Sequence, residues 1–223
     1  EVDKNHFLVC SPHGLLKLNL KEEDDYSYNF VNLDYRKKEN ETFKCIYKDK
    51  TGNIWFGTSV GLYKILNWPD KQLKVQKSIL KNAKNPDILF INEDEDGHLW
   101  AGGAKKTLFV SKSTTDHNEF IQIQNEFISN SGQNELCYTN FYQSPNENIL
   151  WIGTDIEGVK KLTVTGRNFE NIRIASKEKD GIVNNAVFSV FEARDKTLWI
   201  GTRAGFSVSK DLNQYFNYGE EFK

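Results

Sequence analysis

Apolar and polar positions alternate along short stretches of the chain, with a period closer to 2 than to 3.6. Residues 43–47, 54–58 and 62–65 are apolar-rich, and residues 72–76 alternate as a strand with one solvated face does. Residues 49–53 read Asp-Lys-Thr-Gly-Asn, which is typical of a hairpin turn because Gly52 can adopt a positive φ. This part of the chain therefore predicts four short antiparallel strands joined by tight turns.

The same pattern returns about every 48 residues. Each copy is centred on a tryptophan followed two residues later by a glycine: Trp55 and Gly57, Trp100 and Gly102, Trp151 and Gly153, Trp199 and Gly201. A degenerate copy occupies residues 7–18 and lacks the innermost strand. Repeats of four strands are typical of propeller blades, so we predict an all-β fold, a β-propeller of four-stranded antiparallel blades. The single segment 1–223 then divides into units at approximately 1–33, 34–80, 81–127, 128–175 and 176–223.

The repeated tryptophans are predicted to pack between neighbouring blades. A four-stranded sheet cannot bury both of its faces alone, and a buried indole supplies about 150–250 Å² of contact area. We expect each indole N–H to reach an acceptor, and each glycine to leave room for an adjacent chain. These tryptophans and glycines are therefore interpreted as structural residues of the repeat, and no catalytic residue is predicted.

Composition narrows the choice of partners and cofactors. The formal net charge is −2 and no long block of like charge occurs, which argues against a nucleic-acid partner. The cysteines, Cys10, Cys45 and Cys137, lie far apart and are interpreted as buried small residues, with a disulfide as the less favoured alternative. The four histidines have no ligand spacing, so neither a metal site nor a cofactor is predicted. The chain contains no methionine and begins within a repeat, so we interpret it as a piece of a longer protein.

Residues 92–97 suggest a calcium loop, because oxygen ligands would fall at its first, third and fifth positions. The twelfth position is Gly103, whereas such a loop needs Glu there, and Asp96-Gly97 is expected in a hairpin turn in any case. We therefore reject the calcium loop, and a weak surface site stays open as the alternative.

The repeat resembles that of the two-component regulator propellers. The resemblance rests on Asp-Lys-Thr-Gly-Asn-Ile-Trp-Phe-Gly-Thr-Ser-Val-Gly-Leu-Tyr at 49–63, on weaker copies at 96–110, 147–162 and 195–208, and on Asn-Asn-Ala-Val-Phe-Ser-Val at 184–190. It implies the periplasmic sensor region of a membrane-bound hybrid histidine kinase of the Bacteroidetes type, which responds to oligosaccharides. It also implies a larger, generally seven-bladed propeller, of which about five units are present here.

Loops that are predicted to share one face of the propeller carry the candidate ligand-binding residues. In a propeller, the loop entering the first strand and the loop between the second and third strands open on the same face, where ligands commonly bind. The polar side chains in these loops are Asn40, Glu41, Ser59, Asn85, Asp87, Lys105, Lys106, Asn134, Glu135, Asp155, Glu157, Asn184, Asn185 and Arg203. From these we select Asn85, Asp87, Asn134, Asp155, Asn184, Asn185 and Arg203 as ligand residues. The alternative is that these Asn and Asp residues only begin turns and cap strand ends.

Trp68 lies outside the repeat, in the stretch Asn-Trp-Pro-Asp at 67–70. We add it to the candidate ligand residues because an indole in a loop can stack on a sugar ring. The alternative is that it covers the edge of a blade.

Three functions are compatible with a propeller. We predict a non-catalytic, periplasmic ligand-sensing propeller that binds an oligosaccharide or another small polar ligand and acts on the rest of the sensor chain. The first alternative is a structural or protein-docking propeller, which holds a homodimer or another partner through an exposed apolar patch. The second is a glycan-cleaving enzyme, which needs two carboxylates about 5–10 Å apart. Glu192 and Asp87 are the nearest candidates for those carboxylates.

Overall fold

The computed structural model describes residues 6–20, 26–34, 39–70, 72–84, 86–123, 136–144, 149–163, 168–172, 181–210 and 215–218. In these ranges all regular secondary structure is β-strand, and the strands form five sheets. The all-β prediction is therefore confirmed. The chain divides into two compact units, Glu1–Ala101 with Leu108–Ile123, and Gly102–Thr107 with Gln124–Lys223.

The first unit contains most of the first three sheets. The first sheet consists of β1 (His6–Ser11), β2 (Gly14–Leu20) and β3 (Tyr26–Phe30), in that spatial order. The second consists of β4 (Leu33–Asp34), β5 (Phe43–Lys48), β6 (Ile54–Thr58), β7 (Gly61–Ile65) and β8 (Leu73–Lys77), in the order β4-β8-β7-β6-β5. The third consists of β9 (Ile79–Leu80), β10 (Ile88–Glu93), β11 (Leu99–Gly103), β12 (Leu108–Ser111) and β13 (Glu119–Gln122), in the order β10-β11-β12-β13-β9.

The second unit contains the last two sheets, each with its four strands in sequence order. The fourth sheet consists of β14 (Tyr138–Gln143), β15 (Ile149–Thr154), β16 (Val159–Thr163) and β17 (Asn168–Ile172). The fifth consists of β18 (Val187–Glu192), β19 (Leu198–Thr202), β20 (Gly205–Ser209) and β21 (Tyr215–Tyr218). Neighbouring strands run antiparallel, as predicted for blades.

Two short strands extend sheets of the first unit beyond the predicted four strands. β4 pairs parallel with β8, and β9 pairs parallel with β13. The hydrophobic pattern does not predict them, because a strand of two residues shows no period.

The hairpin turn at 49–53 is closed by one carboxylate. Asp49 Oδ1 accepts hydrogen bonds from the N–H groups of Thr51 at 3.0 Å and Asn53 at 2.8 Å, and Oδ2 accepts one from Trp55 Nε1 at 2.8 Å. Gly52 has a φ of 89°, the left-handed conformation that the sequence predicts. The turn and the indole are thus fixed by the same side chain.

Two later repeats satisfy the indole in a similar way. Trp100 Nε1 donates to Asp94 Oδ2 at 2.8 Å, and Trp151 Nε1 donates to Ser144 Oγ at 2.9 Å. The expectation that the indole N–H finds an acceptor is therefore confirmed for three of the four tryptophans.

Residues of each sheet alternate between two faces. We call the face that carries the repeated tryptophan, or Leu8 at the corresponding position of the first sheet, the trailing face, and the opposite one the leading face. In the first unit the trailing face of the second sheet packs on the leading face of the third, in a core of Trp55, Leu62, Leu80, Ile88, Ile91, Leu99, Phe109 and Phe120. The trailing face of the first sheet meets the leading face of the second through Leu8, Cys10, Leu15, Phe43, Ile54, Phe56 and Tyr63. In the second unit the fourth and fifth sheets pack in the same sense through Trp151, Val159, Val187, Val190, Leu198 and Ile200.

Glycines of the repeat leave room for side chains of the next sheet, as predicted. A Cβ at Gly57 would lie 2.7 Å from Ile88 Cγ2, and one at Gly153 would lie 2.9 Å from Val187 Cγ1. Gly102 is buried in β11. Trp55, Trp100 and Trp151 are at most 5% exposed, which fits their predicted packing role.

Trp199 departs from this pattern. Its side chain is 44% exposed, so the prediction that every repeated tryptophan is wedged between blades is wrong for Trp199 within the described residues. The position of Asp49, Asp94 and Ser144 is occupied here by Ala193, whose methyl group cannot accept a hydrogen bond. A Cβ at Gly201 would meet Ser189 Oγ of its own sheet, not an adjacent one.

Candidate functional site

Loops at one end of the fourth and fifth sheets are tied together by backbone hydrogen bonds. The N–H of Asp155 donates to Cys137 O at 3.1 Å, that of Gly158 to Asn185 O at 2.9 Å, and that of Arg203 to Ala186 O at 2.9 Å. These bonds join the loops that enter the first strands to the loops between the second and third strands. We call residues 155–158, 184–186 and 203 the loop rim.

The polar side chains of the loop rim have different roles. Asp155 Oδ1 accepts a hydrogen bond from the Cys137 N–H at 2.8 Å, and Asn184 Oδ1 accepts one from the Ala186 N–H at 2.7 Å. These contacts are the turn-forming contacts expected of Asp and Asn. Asn185 is half-buried, whereas the Arg203 side chain is exposed. Arg203 is thus the selected rim residue most open to a ligand.

A buried ion pair supports the rim from inside the second unit. Lys160 Nζ lies 2.8 Å from Glu157 Oε2, and the two residues are 1% and 4% exposed. Burial, together with the nearby Glu157 carboxylate, raises the pKa of the fully buried Tyr138. The sequence does give one signal for this pair, because the repeat aligns Lys160 with Tyr63. Lys160 lies opposite Ile152 in the fourth sheet, as Tyr63 lies opposite Phe56 in the second sheet.

The corresponding loops of the first unit are also linked. The Ser59 N–H donates to Thr42 O at 2.9 Å, and the Thr42 N–H donates to Ser59 Oγ at 3.1 Å. Glu41 is 1% exposed, and burial together with the Glu41 carboxylate raises the pKa of Tyr63 to about 12. Asp87 is half-buried before β10. These two carboxylates therefore belong largely to the packed part of the first unit.

The other polar loop residues lie apart from the loop rim or outside the described residues. Of these, the selected Asn85 and Asn134 and the unselected Glu135 lie outside the described residues. Lys105 and Lys106 have φ values of 58° and 57°, and the Lys106 N–H donates to Leu136 O at 2.9 Å.

Trp68 is half-buried and packs against the core shared by the first and second sheets. Lys17 Nζ lies 5.3 Å from the centroid of its ring. These contacts support the alternative that Trp68 covers a blade edge.

Asp94, Asp96 and His98 offer ligand atoms within 4.8 Å of one another. They occupy the positions of Asp49, Thr51 and Asn53, where hydrogen bonds alone close the same turn. Asp94 also already accepts hydrogen bonds from the His98 N–H at 2.7 Å and from Trp100. The turn itself thus accounts for this cluster.

Among the described residues no disulfide joins the cysteines, and all three are partly buried. Burial raises the pKa of the Cys10 thiol to about 11 and that of Cys45 to about 12. These two thiols are therefore poor nucleophiles near neutral pH.

Glu192 lies at the end of β18 opposite to the loop rim. It accepts a hydrogen bond from Ser144 Oγ through Oε2, and its Oε1 lies 3.0 Å from Lys196 Nζ. The contact with Ser144 links the fourth and fifth sheets. It does not place Glu192 across a cleft from Asp155 or Glu157.

Comparison with known proteins identifies the repeat. Residues 38–60 and 181–204 match the two-component regulator propeller family. These two stretches are two-component regulator propeller repeats. Each matched stretch includes a first and a second strand, β5 and β6 or β18 and β19. No curated protein matches the chain.

Solved structures share the propeller fold. The extracellular domain of the hybrid two-component system BT4673 from B. thetaiotaomicron is 18% identical with a TM-score of 0.69, over 99% of this chain and 30% of that one. Virginiamycin B lyase from Staphylococcus aureus is 13% identical with a TM-score of 0.64, over 97% of this chain and 70% of that one. The periplasmic gluconolactonase PpgL of Pseudomonas aeruginosa is 8% identical with a TM-score of 0.64, over 95% and 65%. The chain thus spans about a third of the length of the BT4673 domain. In the part of the chain that the structure describes, no helix is long and apolar enough to cross a membrane.

Proposed function

We propose that this regulator propeller is a non-catalytic, extracytoplasmic sensor segment. It binds a small polar ligand, such as an oligosaccharide, and passes the signal to a histidine kinase in a longer protein. The observation that carries the proposal is the family match at 181–204, because this stretch contains three selected rim residues, Asn184, Asn185 and Arg203.

The loop rim suits a ligand that is recognised by hydrogen bonding. The guanidinium of Arg203 presents a fan of N–H donors to solvent, and such donors match sugar hydroxyls or a carboxylate. The Glu157–Lys160 pair and the backbone bonds at Asp155 and Gly158 hold one side of the rim in place. A rim that is already ordered loses little freedom on binding.

Signalling would follow from a shift of populations. A ligand that contacts the loops of both the fourth and the fifth sheet favours the arrangement in which those loops are closest. It can bias the attached kinase only by its difference in affinity between two arrangements.

Calorimetry with the intact sensor region and a panel of oligosaccharides tests the proposal. We expect Arg203→Ala to weaken binding by about tenfold, the loss of roughly one charge-assisted hydrogen bond. Arg194→Ala is the matched control, since Arg194 lies in the hairpin turn at the opposite end of the fifth sheet. No binding by folded protein to any member of the panel would refute the oligosaccharide proposal.

A second function, protein docking, is favoured by one specific observation. The trailing face of the fifth sheet exposes Phe191 at 56% and Trp199 at 44%. Exposed apolar patches of this kind mark interaction surfaces in soluble proteins.

A further inference from the structure

The turn between β11 and β12 has the sequence Ala-Lys-Lys-Thr at residues 104–107 and belongs to the second unit. The Thr107 N–H donates to Ala104 O at 3.3 Å, and the two central residues, Lys105 and Lys106, have φ values of 58° and 57°. Positive φ at both central positions is typical of a type I′ turn, in which Asn-Gly is the favoured pair. Because lysine has a Cβ, this left-handed conformation strains both residues.

The corresponding turns of the fourth and fifth sheets avoid this strain. Gly158 has a φ of 78° and Gly205 one of 127°, so a residue without a Cβ carries the positive φ in each turn. The third sheet has Thr107 at that position, and the two lysines carry the left-handed conformation instead. Strained backbone of this kind concentrates at functional sites. The turn thus retains two lysines where Asn-Gly would be more stable.

Hydrogen bonds join the double-lysine turn to the loop rim. The Lys106 N–H donates to Leu136 O at 2.9 Å. The next residue, Cys137, donates its N–H to Asp155 Oδ1 at 2.8 Å, and its carbonyl accepts from the Asp155 N–H at 3.1 Å. The turn and the loop rim therefore form one row of connected loops. We call this row, residues 104–107, 136–137, 155–158, 184–186 and 203, the extended rim.

Positive charge prevails along the extended rim. The charged side chains among its residues are Lys105, Lys106, Asp155, Glu157 and Arg203. Glu157 is neutralised by Lys160, whose Nζ lies 2.8 Å from its carboxylate. Three cations then remain against the Asp155 carboxylate, an excess of two positive charges on a chain whose formal net charge is −2. Lys105 and Arg203 are exposed, and Lys106 is half-buried.

We propose that the ligand of this segment is an anionic oligosaccharide, whose carboxylate or sulfate groups bind Lys105, Lys106 and Arg203. The inference rests on the proposed function and names the class of ligand for the same site. Arginine matches a planar or tetrahedral anion with its fan of N–H donors, whereas lysine acts as a point charge on a flexible stem. Because the cations come from separate turns, a chain of charged sugars suits the extended rim better than a single small anion.

Calorimetry of the intact sensor region with three hexasaccharides tests the proposal. The probes are neutral maltohexaose, a hexamer of galacturonic acid and a sulfated hexamer derived from heparin. We expect at least one anionic probe to bind about tenfold or more tightly than the neutral one. Binding of that probe should weaken by about tenfold between about 0.05 and 0.5 M salt, since salt screens exposed charges.

Three double variants of the turn separate charge from strain. Lys105→Gln with Lys106→Gln removes the charge and keeps the strain, and should weaken binding of the anionic probe by about tenfold or more. Lys105→Arg with Lys106→Arg keeps the charge and should retain binding. Lys105→Asn with Lys106→Gly should weaken binding equally, and should raise the unfolding midpoint by about 2–4 °C because it relieves the strain.

The control removes two exposed lysines of the second sheet, by Lys48→Gln with Lys74→Gln, and should leave binding unchanged. Binding of maltohexaose as tightly as of both anionic probes would overturn this inference and leave the proposed function standing. So would an Asn-Gly variant that gains stability and keeps full binding of the anionic probe. No binding of any of the three probes to folded protein would refute the inference and the oligosaccharide proposal together.

Discussion

The trailing faces of the second and fifth sheets come from the same repeat but differ in their surroundings. Trp55 is 1% exposed and its indole donates to Asp49, whereas Trp199 is 44% exposed beside Ala193. Lys64 Nζ lies 5.2 Å from the Trp55 ring centroid, and Val208 takes that position in the fifth sheet. The tryptophan and glycine therefore identify the blade. The side chains around them distinguish a face covered by the next sheet from an open one.

The largest effect is expected from Asp49→Ala. This change leaves the buried indole of Trp55 and the N–H groups of Thr51 and Asn53 without their acceptor, which should lower the free energy of unfolding by about 3 kcal/mol. Urea denaturation followed by tryptophan fluorescence measures the change.

Asp195→Ala is the control in the fifth sheet. Asp195 is exposed, and its carboxylate accepts a hydrogen bond from the Thr197 N–H at 3.1 Å, so the loss should stay below about 1 kcal/mol. Equal losses in the two variants would contradict the contrast between the two faces.

The second largest effect is expected from Gly57→Ala. The new methyl group would lie 2.7 Å from both Cys45 Sγ and Ile88 Cγ2, so the second and third sheets must shift, at a cost of about 2 kcal/mol. Thermal unfolding measures it. Gly201→Ala meets the Ser189 hydroxyl, which can rotate away, so its cost should be below about 1 kcal/mol. A cost at Gly201 as large as that at Gly57 would indicate that the fifth sheet is covered in solution.

A smaller, pH-dependent effect is expected at His117, whose ring meets Trp55 edge-on at 5.9 Å. Burial lowers the pKa of His117 below its ordinary value of 6.5, while the charges of Asp49 and Glu93 oppose this and that of Lys64 adds to it. The unfolded chain therefore takes up the proton first, and stability should fall as the pH drops below 6.5. Unfolding midpoints across this range should vary less in His117→Gln. An unchanged pH profile in that variant would rule out this titration as the cause.

The smallest effect is a gain in the fifth sheet. Lys196 has a φ of 68° at the position where Gly52 has 89° and Gly97 has 90°. Lys196→Gly should relieve the left-handed strain and lose the ion pair between the exposed Lys196 and the buried Glu192, for a net stabilisation of about 0.5 kcal/mol. Lys196→Ala loses the ion pair and keeps the strain, so chemical denaturation should show no gain. Equal stability of both variants would show that backbone strain is not the cause.

The sequence predicts the sheets because the alternation of apolar and polar residues and the tryptophan-to-glycine spacing are local. Both depend only on whether nearby side chains point to the same face of a strand or to opposite faces. It does not predict the exposure of Trp199, since Trp-x-Gly-Thr is the same at Trp151 and Trp199 and only neighbours such as Ala193 differ. The topology of a blade predicts which loops meet at one end of the fourth and fifth sheets. It cannot separate a ligand residue from a turn residue, because Asp155 and Asn184 have side chains that suit both roles. The burial of Lys160 is not predicted, because a lysine is expected to be exposed unless its partner, here Glu157, is buried with it.

The two parallel strands of the first unit link consecutive repeats. Leu33–Asp34 and Ile79–Leu80 belong to the segments that connect one sheet to the next, yet each completes the outer edge of the sheet that follows it. One repeat of this unit cannot unfold without breaking backbone hydrogen bonds of the adjoining repeat, which favours cooperative unfolding. Truncation just before Phe43 or Ile88 would therefore remove the parallel partner of the next sheet's outer strand. The unpaired edge of that strand could then pair with another molecule.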